Sequence, residues 1–576
     1  MLRRIALFVS LALLGGTAAA DGLRLSLRGI DDEKLKSNVE AYLTPIEKEG
    51  AADTFSDRAR IDKAVRLGLR ALGYYEPIVS IFADEDRKDT LAVQVTPGDP
   101  ILIAGVNVNI TGAGKDERAF TRRLKKLPKT GTVLNHADYE AYKSGLTAVS
   151  LRRGYFDAVF TKNELAVSVP RHEAYWNLDY NTGERFRFGK VTYQGSQIDT
   201  RLLDNMMPFK EGDYYTSDDL AEFNRRLANM GWFSSVVLAP DFEAAREDPE
   251  RHLPIEASVA PRKKNSFEVG LGVASDVGPH ARFVWQKPWI NRRGHSLSSS
   301  TSLSSDEQSL DLSYKIPRTA NPYEEYWLIQ GGVKHEDLND TKSNSAVLSV
   351  SRNWEFSSGW QRSVGLHMSY DNFTQGDVDT SALLIYPSIS FSRTRAKGGM
   401  MPWSGDSQRF SLDVSSEWWG SDVDFFILQA QQTWVRTYRW KHRFVVRGNA
   451  GWIKTNAFEQ VPPDLRFFAG GDRSVRGYDY KSISPTDSSG QLKGASTLLT
   501  GSLEYQYNVT GKWWGAVFFD IGEAANGFAN AVWKKGAGAG IRWNSPVGPV
   551  KLDLAVPVGD PNKSGVQFYI GLGSEL

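Results

Sequence analysis

The second half of the chain alternates with a period of two. In residues 309–316, Leu310, Leu312, Tyr314 and Ile316 fall on one face, and Ser309, Asp311, Ser313 and Lys315 on the other. In residues 409–414, Phe410, Leu412 and Val414 oppose Arg409, Ser411 and Asp413. In residues 566–573, Val566, Phe568, Ile570 and Leu572 oppose Gln567, Tyr569, Gly571 and Gly573. This is the pattern of β-strands that face two different media. After about residue 264 helical periodicity is lost, and roughly sixteen such segments of about ten residues follow, a length that spans a bilayer at the tilt of a barrel strand.

Alternation by itself fits either a soluble sandwich or a membrane barrel. Three further features favour the barrel. The chain opens with Arg3 and Arg4, an apolar run over residues 5–14 and a small-residue stretch at Ala18, Ala19 and Ala20, the form of a secretory signal peptide covering residues 1–20. Fifteen of the seventeen tryptophans lie beyond residue 263, as interfacial aromatic girdles require. A strand also stands at the far end of the sequence, so the last strand can pair with the first and leave no edge in hydrocarbon.

Composition narrows the function. There is no cysteine, which excludes thiolate chemistry and disulfides. The 69 basic and 68 acidic residues nearly cancel, unlike a dedicated nucleic-acid binder. The eight histidines are scattered without ligand spacing, so neither a metal site nor a cofactor is expected. Beyond the signal segment no apolar run is long enough for a spanning helix.

The first half repeats. Gly29, Gly112 and Gly195 are 83 residues apart and each closes a short strand. Each is followed by a charged helical stretch ending in glycine and two aromatics: Gly73-Tyr74-Tyr75, Gly154-Tyr155-Phe156 and Gly231-Trp232-Phe233. In the middle copy Tyr139, Tyr142, Leu146, Val149 and Leu151 are expected on one helix face. Strand patterns then resume, so the unit reads βααββ three times. Such units offer strand edges to partners.

One segment interrupts the barrel pattern. Residues 470–480 carry Gly470, Gly471 and Gly477 together with Arg473 and Arg476. Downstream, Thr500, Ser502, Glu504 and Gln506 share the polar face of one strand, and Ala516, Phe518 and Asp520 share a face of the next. Glu504 and Asp520 are therefore expected to enter the lumen from neighbouring strands. Two confined carboxylates repel one another, and an arginine fork between them cancels that repulsion. Either Arg473 or Arg476 could supply it from an inward-folded loop, and a solvated loop is the alternative. No phosphate-loop pattern is present.

Val475-Arg476-Gly477-Tyr478 resembles the VRGY motif of the bacterial outer-membrane insertase and translocase superfamily. Phe518, Asp520 and Gly522 resemble its F-x-D-x-G strand motif, and residues 287–297 and 541–557 add to the likeness. The three repeats resemble POTRA domains. The likeness covers nearly all of the sequence after the signal segment and is nearest to the family's translocation-and-assembly branch. It implies three POTRA domains, at 21–98, 99–182 and 183–263, and a sixteen-stranded antiparallel transmembrane β-barrel at 264–576. Of the two arginines it selects Arg476 as the lumen residue, with Glu504 and Asp520 as its partners.

The resemblance further implies a protein of the outer membrane, with its repeats in the periplasm, that is not an enzyme. It would insert or translocate clients such as autotransporters through a seam between the first and last strands. It also implies a TamB-like, inner-membrane-anchored partner bound through the first repeat. Gly270 and Gly272 on the first strand, and Phe568, Tyr569, Gly571 and Gly573 on the last, are the candidate seam residues, because strand glycines weaken packing. Leu576 stands where many such strands place an aromatic, which shifts attention to Phe568 and Tyr569. The competing reading is a two-partner secretion pore, which typically has two repeats and a plug helix; here three repeats are read and no plug segment before Leu23.

Overall fold

The computed structural model describes residues 23–87, 89–274, 278–529, 531–546 and 548–576. The signal segment lies outside them. The chain divides into two compact units, one holding the chain up to Lys190 with Phe209–Ala221 and Pro240–Ile255, the other holding Val191–Pro208, Glu222–Ala239 and Glu256–Leu576.

Three three-stranded sheets occupy the first half. In the first repeat, Arg24–Arg28 runs parallel to the central strand Thr90–Thr96, and Ile78–Ala83 pairs with it antiparallel. In the second, Leu102–Thr111 and Val159–Ser168 flank Glu173–Asn181 in the same arrangement. Two helices pack on each sheet. The longest of these, His136–Arg153, shows why the sequence signal is strong. Asn135 Oδ1 accepts from the Ala137 amide at 2.9 Å, and Gly154 at φ +82° ends the helix in the left-handed conformation. Its buried stripe is Tyr139, Tyr142, Gly145, Leu146 and Ser150.

Two expectations need correction. Leu151 is 51 % exposed, because five residues past Leu146 it has turned off the stripe; Ser150 takes the inner position and its hydroxyl bonds the Tyr180 hydroxyl at 2.6 Å. The third repeat departs from βααββ by a short helix, Phe242–Glu247, between its last two strands, Phe233–Pro240 and His252–Pro261.

The second half is one sixteen-stranded sheet in strict sequence order, every described neighbour pair antiparallel. It begins with Ser266–Ala274 and ends with Gln567–Leu572. The outer face is apolar: Phe267, Val269, Leu271, Leu310, Leu312, Leu503 and Phe568 are all exposed. The inner face is not uniformly polar, as alternation alone suggests. Leu384, Phe425, Ile427 and Ile453 of the wall join Val461, Phe467, Val475, Tyr478 and Ile483 in one buried apolar cluster. The loop between His442–Thr455 and Thr497–Thr510 fills that part of the interior, so the wall beneath it is shielded from water and carries hydrocarbon.

Within the second unit the third repeat is bonded to the turns at one barrel rim. The Trp232 indole N–H donates to the Gly294 carbonyl at 3.0 Å, Asn205 donates to the Thr319 carbonyl at 2.6 Å, and Arg225 donates to the Tyr323 hydroxyl at 2.6 Å. The Glu222 carboxyl is held below the usual carboxylate range by its hydrogen bonds from Arg225 and Arg226.

Candidate functional site: a loop latched inside the barrel

The loop over residues 456–496 turns inward, and the tip carrying Val475, Arg476, Gly477 and Tyr478 is buried. Gly477 has φ +98°, and a Cβ there would lie 2.8 Å from the Val556 carbonyl carbon, so backbone and strand touch where only glycine fits. Arg473, the other arginine, is exposed. Arg476 is 1 % exposed.

The Arg476 guanidinium meets three carboxylates. Nε and Nη2 donate to the two oxygens of Asp520 at 2.7 and 3.0 Å, a bidentate fork. Nη1 donates to Glu504 at 2.8 Å and to Asp553 at 3.2 Å. The Arg476 backbone amide also donates to Asp520, at 3.1 Å. Beneath the guanidinium lies the ring of Phe518, 3.3 Å from Cζ to centroid. Strand register explains the convergence: Ser502 sits opposite Asp520 and Glu504 opposite Phe518, so these inward positions form one patch.

Each residue of the F-x-D-x-G stretch therefore has a physical task. Phe518 is the platform and Asp520 the clamp. Gly522 leaves room for the loop, since a Cβ there would stand 2.9 Å from a Val475 methyl.

Residues 290–576 match the Omp85 superfamily domain, residues 24–97 the first POTRA domain of TamA, and residues 186–262 the POTRA family described as a surface antigen variable number repeat. The chain belongs to the Omp85 superfamily. Among its curated relatives, the outer membrane protein assembly factor BamA of Nitratidesulfovibrio vulgaris is 22 % identical over 406 residues, covering 67 % of this chain and 50 % of that protein. BamA of Neorickettsia risticii is 23 % identical over 412 residues, covering 65 % and 52 %. The chain thus spans about half the length of the curated relatives it matches. The crystal structure of Haemophilus ducreyi BamA lacking POTRA domains 1–3 superposes with a TM-score of 0.66 at 16 % identity, over 81 % of this chain and 99 % of that one. This Omp85 barrel lies in the outer membrane with its POTRA domains in the periplasm.

Several residues of the Omp85 interior escape a sequence reading. Arg542, 2 % exposed, is a second guanidinium in the cluster, donating to Glu504 at 2.7 and 3.0 Å and to Asp553 at 2.5 and 3.0 Å. Glu504 and Asp553 are thus shared by two arginines. Gly536, Gly538 and Gly540 line the inner face of the strand Lys534–Ser545. A side chain on them would collide with the Arg476 carbonyl oxygen, the Phe518 ring and Asp553 respectively. The available signal was glycine repeating at period two immediately before Arg542 on the same face.

The candidate seam residues are dispersed. Gly270 and Gly272 lie on the first strand, where the space beside Gly272 is filled by the His280 imidazole of the next strand and not by the loop. Phe568 points outward and is 52 % exposed. Tyr569 points inward, and its hydroxyl accepts from the Gly477 amide at 2.9 Å and donates to the Tyr478 carbonyl at 2.8 Å. One hydroxyl therefore ties the last strand to the loop motif. Tyr478 in turn donates to Asp560 at 3.1 Å. Gly571 is within the last strand, but Gly573 is beyond it: at φ +111° it ends the ladder by turning the chain inward. Past that turn, Glu575 reaches Lys551 at 3.0 Å and Arg447 at 3.9 Å.

Proposed function

We propose that this protein is a TamA-type assembly factor that inserts or translocates client outer-membrane proteins, autotransporters among them, through a seam between its first and last barrel strands. One observation carries the reading. Among the described residues, every neighbouring pair from the first strand to the sixteenth has a defined ladder, but the closing ladder expected between the sixteenth and the first is not formed. The sixteenth strand is also short, six residues against fourteen in Thr497–Thr510. A wall with fewer cross-strand bonds at one place opens there first, and its unpaired N–H and C=O groups are a template for an incoming strand. The latched loop holds the last strand from inside through Tyr569.

The match of the first repeat to the TamA POTRA domain supports the translocation-and-assembly branch and, with it, a TamB-like inner-membrane-anchored partner at that repeat. Three repeats, taken as 21–98, 99–182 and 183–263 ahead of a barrel at 264–576, favour this over a dedicated secretion pore. Glu504 and Asp520 are both ion-paired to Arg476, which engages the two carboxylates in holding the loop and favours assembly over catalysis.

The chain has no cysteine, so a cysteine pair can be placed across the seam without background. The disulfide-locked form is expected to lose client insertion and regain it on reduction. Full insertion by the locked form overturns the seam, and an unchanged outer-membrane protein inventory after depletion overturns the assembly role.

A further inference from the structure

The second repeat carries a concentration of charge that the barrel reading leaves unused. Residues 115–129 hold seven cations, Lys115, Arg118, Arg122, Arg123, Lys125, Lys126 and Lys129, against two acids, in a chain whose net charge is +1. One of the seven, Arg123, folds back onto Gly145 of the neighbouring helix. The other six are exposed, and among the described residues none of their side chains has an ion pair or hydrogen bond. Of the two acids, Glu117 is occupied by the Tyr155 hydroxyl at 2.8 Å and by Arg153 at 3.4 Å.

The first repeat handles its arginines differently. Arg58 pairs with Asp53 at 2.6 Å, Arg60 with Asp57 at 3.1 Å and Arg66 with Asp62 at 2.8 Å. A run of cations without counter-charges is destabilised by its own repulsion, so its neutralisation by an external anion is favourable.

The shape of the run says which anion. The helix Arg118–Leu124 is followed by Lys125 in helical conformation. At about 100° per residue, Arg118, Arg122 and Lys125 fall within an arc of roughly 60°, opposite Phe120. Phe120 is fully buried, so the helix lies on its domain and displays the cations outward as a stripe. A helix exterior is convex and provides neither the concave pocket that a small ligand needs nor the strand edge that an extended peptide takes. A planar anionic surface needs only several cations in one plane.

We infer that this stripe is a docking surface for the anionic phospholipid headgroups of a bilayer facing the periplasm. Contact would hold the second repeat against a membrane while leaving the strand edges free. The inference does not depend on which clients the barrel handles, and its test does not involve them.

Full-length protein in phosphatidylcholine nanodiscs is offered vesicles of equal parts phosphatidylglycerol and phosphatidylcholine, or of phosphatidylcholine alone, and bound protein is measured by flotation. Each cation near an anionic surface contributes roughly fivefold in partitioning (about 1 kcal/mol). The variant R118Q/R122Q/K125Q/K126Q, with its fold checked by circular dichroism, is expected to lose binding by about a hundredfold or more. The charge-keeping variant R118K/R122K should retain it, as should R58Q/R60Q/R66Q, which removes paired arginines. Wild-type binding should fall as salt is raised. Equal flotation with phosphatidylcholine alone, salt-insensitive binding, undiminished binding by the quadruple variant, or displacement of the protein from vesicles by an acidic unfolded peptide at stoichiometric amounts would each overturn the proposal.

Discussion

In the second repeat the buried side chains are Phe120, Tyr142, Leu146, Trp176 and Tyr180, packed on one another. In the barrel, around the loop tip, the buried side chains include five charged ones, Arg476, Arg542, Glu504, Asp520 and Asp553, bonded to one another. The solvent outside each region explains the inversion. Water surrounds the repeat, so its hydrocarbon goes inward and no particular contact is indispensable. Hydrocarbon surrounds the barrel, so its apolar residues already have a favourable place outside, and the interior is free to use charge. A cluster of charges is directional. It fixes where the loop sits, and it tolerates the loss of a partner badly, since the remaining charges stay buried and unpaired.

The comparison is broken most directly at Arg476. Arg476→Ala leaves Asp520 without its fork, Asp553 to Arg542, and Glu504 to Arg542 and the Gln506 amide. A loss of about 3–5 kcal/mol is expected for the loop's closed state. It should be read as faster hydrogen exchange over residues 466–483 and as a lower temperature for the shift from folded to unfolded mobility on a gel. Arg476→Lys keeps the charge without the planar fork and should restore only part of the protection. Unchanged exchange in the alanine variant would mean that the apolar cluster around Phe467 and Ile483 holds the loop without the ions.

The same experiment sharpens the other side of the contrast. Leu146→Ala opens a cavity in the second repeat and is expected to cost about 2–5 kcal/mol there. Exchange should rise across His136–Arg153 and leave the loop tip untouched. Loss of protection at the loop tip as well would show that the two regions are not energetically separate.

How much of this was legible depends on range. Period-two alternation reads Glu504, Asp520 and Phe518 onto the inner face, where the structure buries all three beside Arg476, because the face a residue takes is a local property of a strand. The repeats were legible because glycine at a fixed spacing marks positive-φ positions, as at Gly29, Gly112 and Gly195. Alternation could not tell that Arg473 is exposed and Arg476 buried, since that depends on where a loop of some forty residues lands. Nor did it reveal the apolar patch in the lumen. Residues 425–428 read Phe-Phe-Ile-Leu, apolar on both faces, and only the docked loop says which apolar face is shielded from water. Arg542 and Asp553 went unread because no strand pattern names the partner that a side chain meets on another strand, although the glycine repeat ahead of Arg542 marks a crowded inner face.

A smaller test lies at the last strand. Tyr569→Phe removes one hydroxyl and strands the Gly477 amide and the Tyr478 carbonyl, both inside the barrel. The expected cost is about 1–3 kcal/mol, less than at Arg476 because no charge is left bare. The informative readout is local: exchange should rise in Gln567–Leu572 as well as at the loop tip, since the hydroxyl joins them. A rise at the loop alone would mean that the last strand is held chiefly by its ladder with Gly548–Pro557.

The smallest effect belongs to the helix Ser217–Asn229 beside the rim, where the ion pairs are open to water. Glu222 accepts from Arg225 at 2.6 and 2.7 Å and from Arg226 at 2.8 Å, and its side chain is 30 % exposed. A folded-state pKa below the unfolded one means that the pairs contribute fully above the ordinary carboxylate range. Their contribution fades as pH falls through the lowered value. Screening by solvent keeps it below about 1 kcal/mol. Acidification should therefore loosen exchange at Ser217–Asn229 slightly, in wild type but not in Glu222→Gln, while the loop tip is unmoved. The contrast is again one of environment: the same pairing of arginine with carboxylate is worth little at a wet rim and much behind the barrel wall, because only at the rim can water replace the lost partner.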